Sequence, residues 1–425
     1  MKNNFLLTNA MLIDPKLEST FLGALEVKNG IIFKIHKTCP DVKIKTIDCG
    51  GKYLGPGIID VGVKICEPGE RHKESFKSAG QAAAAGGVTT MITRPDTLPP
   101  IDSPEILSFM HQRGSDASLV NIFPMATLTK NREGREMVEM GFLLDSGAIA
   151  FSDGDLVITD LKILTRALTY AKSLDALVVG HIQEPTLSRG ATSTSGKFSS
   201  LRGLPSVSVI AEKIGLERDL SVIEMTGTKY HIDQISSKVS LPALIRAKNL
   251  GLDITAGVSI HHLTLNELDV GDYKTFFKVK PPLRSEQDRV SMVEAVSDGI
   301  IDIISSMHTP QDEESKRLPF EEAASGAVAL ETLLPAALRL YHSKSITINK
   351  LWAALTLNPA KRFSLPGGRL EEGYPADLVL FDPELPFILD REALKSKSKN
   401  TPFDGSRMQG GVLKTFVSGE EVYSK

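Results

Sequence analysis

The sequence predicts a (β/α)8 barrel flanked by a small β-sandwich, and three observations carry that reading. Short β-rich apolar runs alternate eight times with helical patterns over about 300 residues, the rhythm of a closed parallel sheet with helices outside it. The two chain ends carry strand-like runs and turns instead. No glycine-rich phosphate turn follows an early strand, which disfavours the competing open doubly wound sheet.

Residues 1–55 contain two strand-like runs, 5–13 and 24–35, and Asn29-Gly30 inside the second is a hairpin signal. The far end has the same character, with runs at 376–382 and 412–423 and a turn at Ser418-Gly419. Isolated hairpins are marginally stable. The ends are therefore expected to pair, so that 1–55 and 367–425 form one composite sandwich domain beside a barrel domain at 56–366. The barrel opens with PGIIDVGVKICEPG (56–69), a strand entered through Pro56-Gly57 and closed by Glu67-Pro68-Gly69. Its alternation puts Asp60, Gly62, Lys64 and Cys66 on one side and branched apolar residues on the other. Further strands are expected at 88–93, 119–125, 148–152, 175–181, 229–235, 252–258 and 301–306, with helices that include 74–85, 160–173, 207–214 and 241–250. After the eighth strand, the highly charged stretch 311–322 reads as mobile, as part of an interface, or as a solvated face.

Composition excludes several classes of function. A net charge of −3 without a basic run gives no electrostatic case for nucleic acid or an anionic membrane. No apolar run approaches the ~20 residues of a membrane span. Asn9 and Asp14 interrupt the N-terminal apolar stretch, which reads as a strand rather than a signal peptide. Cys39, Cys49 and Cys66 lack CxxC spacing and leave one unpaired in any bridge, as expected of a reducing cytoplasm.

The first barrel strand resembles that of dihydroorotases in the amidohydrolase superfamily, whose pattern runs P-G-x-I-D-x-H-x-H-L-R-E-P-G. The frame is intact at Pro56, Gly57, Ile59, Asp60, Glu67, Pro68 and Gly69. The resemblance places the family's two metal-binding histidines at Gly62 and Lys64 and a substrate-binding arginine at Cys66. It covers nearly the whole chain. RPDTLPPID (94–102) puts Asp96 where a substrate-binding asparagine belongs, and FSDG (151–154) and GHIQEP (180–185) keep two metal ligands, Asp153 and His181. YHIDQIS (230–236) retains His231 but has Gln234 at the ligand position. KVKPPLR (278–284) has Lys280 for a substrate-contacting asparagine. SSMHTPQDEE (305–314) has Met307 for the aspartate that is both ligand and base, and Gln311 for a substrate-contacting histidine, while His308 remains. SIHHLTL, containing His261-His262, together with ALETLLP (329–335) and 355–383, matches framework motifs.

Four of the six ligand positions are thus replaced, by Gly62, Lys64, Gln234 and Met307, and catalytic zinc needs at least three protein ligands. No catalytic residue set is intact, and no metal or other cofactor is expected, although active members of the family use zinc. Cys66 reads as a packing residue, because no histidine is near it in sequence to activate it. A remnant pocket is expected from Asp60, Lys64, Asp153, His181 and His308, in which Lys64 either pairs with Asp153 in place of a lost cation or extends to solvent. The resemblance implies a catalytically degenerate, cytoplasmic protein of pyrimidine biosynthesis. Such a chain would be a homo-oligomer, a structural or regulatory partner of aspartate transcarbamoylase, or both. The alternative is an active dihydroorotase or cyclic amide hydrolase with a rearranged or metal-poor site. A small-ligand sensor is a third reading, since Lys64, Lys280 and Arg94 make the old pocket anion-friendly.

Overall fold

The computed structural model describes residues 4–41 and 43–425. Seven parallel barrel strands run in chain order as Ile58–Val63, Val88–Thr93, Asn121–Pro124, Val178–Gly180, Tyr230–Ile232, Ile254–Ser259 and Ile303–Ser305. The fourth expected strand, 148–152, is reduced to Phe151, which bridges Ala126 on one side and Val178 on the other. The circle closes between its last and first members. Lys64 N donates to His308 O at 2.9 Å, and Ser306 N donates to Asp60 Oδ1 at 2.8 Å. The fold is the (β/α)8 barrel that the alternation predicts.

Two of the barrel helices show how side chains satisfy the free amide groups of a first turn. Ser75 and Ser78 form a capping box ahead of Phe76–Ala85, and Asp160 accepts from Lys162 N and Ile163 N ahead of Leu161–Ser173. The expected helix at 207–214 is instead Ile210–Thr226. Its apolar period is broken because Glu212 and Asp219 occupy buried positions, where a pattern-based reading expects apolar residues. The stretch 311–322 also differs from expectation. Glu313–Arg317 is a short helix, and buried Lys316 donates to Thr275 O at 3.0 Å and Ala324 O at 2.7 Å. The bond to Thr275 ties that part of the segment to the loop after the seventh strand.

Outside the barrel, Phe5–Asp14 pairs with Ser19–Lys28, Lys45–Asp48 and Tyr53–Pro56. Tyr53–Pro56 passes the sheet on to Leu378–Ile388, then Arg407–Val417 and Glu420–Ser424, while Ile31–His36 extends the other edge. Asn29 (φ 52°) and Gly30 (φ 82°) make the tight turn into Ile31–His36. The eight strands form one hydrogen-bonded sheet rather than two separate ones. It curls until Ile32 N donates to Tyr374 O at 2.8 Å, enclosing Leu7, Leu12, Leu25, Leu54 and Leu378. Trp352 joins sheet to barrel: its ring stacks on Phe381 at 4.7 Å, and Nε1 donates to Pro56 O at 3.1 Å.

Candidate functional site at the barrel mouth

Reactive side chains of such barrels sit at the C-terminal ends of the strands. Here those ends carry a network of opposed charges. Lys64, just past the first strand, places Nζ 3.4 Å from Asp96 and 3.5 Å from Glu70. Arg94, just past the second, grips Asp96 with two hydrogen bonds, Nε at 3.2 Å and Nη2 at 2.8 Å. Asp155, four residues beyond the bridging Phe151, faces three cations. Arg132 Nη2 lies 2.9 Å away, Lys280 Nζ 3.0 Å and Arg94 Nη2 3.5 Å. Burial alone would raise the carboxyls of Asp96 and Asp155, but the neighbouring cations outweigh it and hold both below the ordinary range. Burial likewise lowers Lys64, and the charge of Asp96 reverses this, so its ammonium is held above its usual value.

The expected pair between Lys64 and Asp153 does not form. The Asp153 carboxylate accepts from Leu128 N at 2.9 Å, Thr129 N at 3.0 Å and the Thr129 hydroxyl. Those donors fix its orientation, and Asp96 and Glu70 take the lysine instead. Two other members of the expected remnant pocket lie within the wall. Asp60 is fully buried against Ser306, and burial raises its carboxyl to about 6. His308 is fully buried too; its Nδ1 accepts from Ala329 N at 3.1 Å, and its Nε2 lies 3.5 Å from Glu74. His181 sits at the end of its strand with Nδ1 3.4 Å from both oxygens of Asp233, and its Nε2 is buried without a partner.

The replaced positions are occupied by packing and by backbone bonds. Gly62 has φ +82°, a left-handed conformation that favours glycine, and a Cβ there would lie 2.8 Å from Met307 Sδ. Met307 therefore fills the space that a side chain at 62 would need. Gln234 Nε2 donates to Lys280 O at 3.3 Å, and Gln311 Nε2 donates to Ser325 O at 2.9 Å. Cys66 is buried, and burial pushes its thiol up to about 12, so it is no nucleophile at neutral pH. Sequence reasoning missed Glu70, Arg132, Asp155 and Asp233. Asp155 stood two residues beyond Asp153 in FSDGD, where a second carboxylate at a strand end was the available signal.

Comparison with known proteins places this geometry in a family. A dihydro-orotase-like family model matches residues 51–240, and an amidohydrolase family model matches 326–423. A dihydroorotase of Wolbachia sp. subsp. Drosophila simulans is 38% identical over 421 residues, covering 98% of this chain and 95% of that protein. The chain belongs to the dihydroorotase family. A dihydroorotase of Aquifex aeolicus is 36% identical, with 98% of each chain covered. Among solved structures, the L-hydantoinase (dihydropyrimidinase) of Arthrobacter aurescens superposes with a TM-score of 0.90 at 23% identity, over 100% of this chain and 96% of that one, a likeness of fold.

Membership corrects the expectation that no cofactor is called for. Nearly full-length relatives carry the dihydroorotase name, and proteins of that family are metal-dependent amidohydrolases, so the absence of a metal is not a property to assign to this chain. The donor set at the mouth is nevertheless not the family's. Among the described residues, no three His, Cys, Asp or Glu side chains converge as a metal would require. Asp153 is committed to two backbone amides and a hydroxyl, and the ammonium of Lys64 faces the adjoining carboxylates. The residues present do not fit a dihydroorotase metal centre. The mouth is instead filled by opposed charges.

Proposed function

We propose that this chain is a dihydroorotase-family protein of pyrimidine biosynthesis that works without hydrolysing dihydroorotate, as a structural or regulatory partner of aspartate transcarbamoylase in the cytoplasm. The observation that carries the proposal is the occupation of the mouth by its own side chains. Met307 covers Gly62, and the charge of Lys64 is matched by Asp96 and Glu70. Hydrolysis of a cyclic amide needs an activated water and a base near the carbonyl. The family position for that base holds a thioether, which accepts protons poorly. A barrel that keeps its frame while its reactive positions change retains its surface as the useful part. All three cysteines are free, which agrees with a reducing compartment.

The names of the relatives favour a second reading, an active dihydroorotase or related cyclic amide hydrolase with a rearranged site. One experiment separates the two. The protein is loaded with zinc and assayed with dihydroorotate and with N-carbamoyl-aspartate, and then co-expressed with aspartate transcarbamoylase and run on size-exclusion chromatography. The first reading expects no turnover and co-elution. Metal-dependent turnover in both directions would replace it with the second, and a lone monomer would remove the partner.

A further inference from the structure

Away from the barrel mouth, a cavity of about 290 Å³ opens at the joint between the barrel and the terminal sheet. Ala85 at the end of the first barrel helix, Pro335 on the helix Leu333–His342, Leu394 and Val412 give it apolar walls. Glu331 places a carboxylate between them. One of its oxygens, Oε1, accepts from Lys395 N at 2.7 Å and Ser396 N at 3.2 Å. The other, Oε2, has no hydrogen-bond or ion-pair partner among the described residues. A carboxylate with one oxygen free in an apolar enclosure calls for a cationic donor. We propose that the cavity is a binding site for a small organic amine, a primary ammonium group on a compact apolar body, with Glu331 as its anionic anchor.

The protein's own cations do not fill that role. Lys399 Nζ donates to Leu394 O at 2.6 Å, and Lys395 meets Glu331 through its backbone amide. Exposed Lys425 and exposed Asp390 both line the rim, where their charges oppose each other. Burial accordingly raises the Glu331 carboxyl to about 7, although the two amides and the charges of Lys399 and Lys395 pull it down. An arriving ammonium would supply the compensation that the carboxylate lacks. Tyr423 supports the same chemistry from the sheet side. Its phenol is raised by burial and then by the charge of Glu331, which puts both groups in one electrostatic neighbourhood. The Tyr423 hydroxyl has no partner among the described residues and is free to accept a second ammonium hydrogen. Size narrows the class further. Ligand cavities run from about 300 to 1,000 Å³, and this one stands at the small end, with room for one ring or a short chain. The site lies outside the mouth and is independent of whether the chain hydrolyses anything.

Benzylamine is the probe, benzyl alcohol its uncharged counterpart, and isothermal titration calorimetry the measurement. The unaltered protein should bind benzylamine at least about tenfold more tightly than benzyl alcohol. Glu331→Gln keeps an oxygen for the amides of Lys395 and Ser396 but loses the charge, so it should remove that preference. Ala85→Phe, which fills the cavity from its wall, should abolish binding of both compounds. A folded Glu331→Gln that binds benzylamine as tightly as the unaltered protein overturns the proposal. So does an unaltered protein that shows no preference or binds neither compound. Amide resonances of the unaltered protein locate the ligand without any variant. Saturating benzylamine should shift the Lys395 and Ser396 N–H signals, because those groups donate to the anchor. Shifts at the mouth residues Lys64 and Asp96, with Lys395 and Ser396 unmoved, overturn the proposal.

Discussion

Lys64 shows how a single substitution reorganises its surroundings. Its side chain is 18% exposed and sits between Asp96 and Glu70, so removing the ammonium leaves Asp96 with Arg94 as its main compensation. Lys64→Met should therefore cost about 1–2 kcal/mol at pH 7, below the loss from breaking a fully buried pair. The pH window follows from the shifts. The raised Lys64 contributes below its ordinary value and loses that contribution as pH rises through the folded one. The lowered Asp96 contributes above its ordinary value and fades as pH falls through its folded one. Urea unfolding of both proteins at pH 7 and pH 3 checks this: the gap should shrink at pH 3, and equal stability at pH 7 refutes the role. Lys64, Arg94, Asp96 and Asp153 were legible in the sequence because strand ends can be counted, whereas Glu70, Arg132, Asp155 and Asp233 were not. Nor was the choice of partner. A lysine reaches several carboxylates, and only the amides of Leu128 and Thr129 reveal that Asp153 is already engaged.

Elements were legible where one physical rule dominated. The barrel strands stand out as short β-rich runs buried on both faces, and Asn29-Gly30 marks its hairpin through two left-handed residues. The rule failed at Ile210–Thr226, whose buried Glu212 meets Arg284, Ser236 and Ser240, and whose Asp219 accepts from the Tyr230 hydroxyl. Charge satisfied by partners distant in sequence hides a helix from any periodicity test. The joint between the terminal sheet and the barrel was equally invisible, since it depends on Trp352 meeting Phe381 across the fold. That joint is testable, because Trp352 is the single tryptophan. Trp352→Ala should cost about 3–5 kcal/mol, as expected for a large buried aromatic. In the unaltered protein, tryptophan fluorescence and far-ultraviolet circular dichroism should report the same unfolding midpoint. A fluorescence transition that precedes the dichroism would mean that the sheet detaches from a still-folded barrel.

At the scale of the whole molecule, opposed groups of buried titratable residues set the response to pH. Burial lowers His231 and His261 to about 3 and His262 to about 4, each from an ordinary value of 6.5. Between those limits the unfolded chain binds protons that the folded chain refuses, so stability falls as pH drops below about 6.5. Carboxyls raised by burial act the other way, among them Asp153, Asp219, Glu267 and Asp377. Burial raises Asp60 to about 6 and Glu331 to about 7, so the folded chain holds their protons more tightly and gains stability as pH falls toward their ordinary values. The imidazoles take up protons on unfolding below about pH 6.5, and the raised carboxyls offset part of that uptake. The lowered carboxyls Asp96 and Asp155 add to the acid loss only at lower pH, where their ion pairs begin to protonate. Stability measured by urea unfolding should thus decline from pH 6.5 to pH 4.5 and steepen below pH 4. Replacing His261, which stacks on Phe403 at 6.0 Å and whose ring nitrogens accept no hydrogen bond, by Phe removes one titrating imidazole while keeping an aromatic ring. The slope of that variant between pH 6 and pH 4.5 should be lower than that of the unaltered protein by about 1.4 kcal/mol per pH unit. An unchanged slope would place the acid sensitivity elsewhere in the molecule.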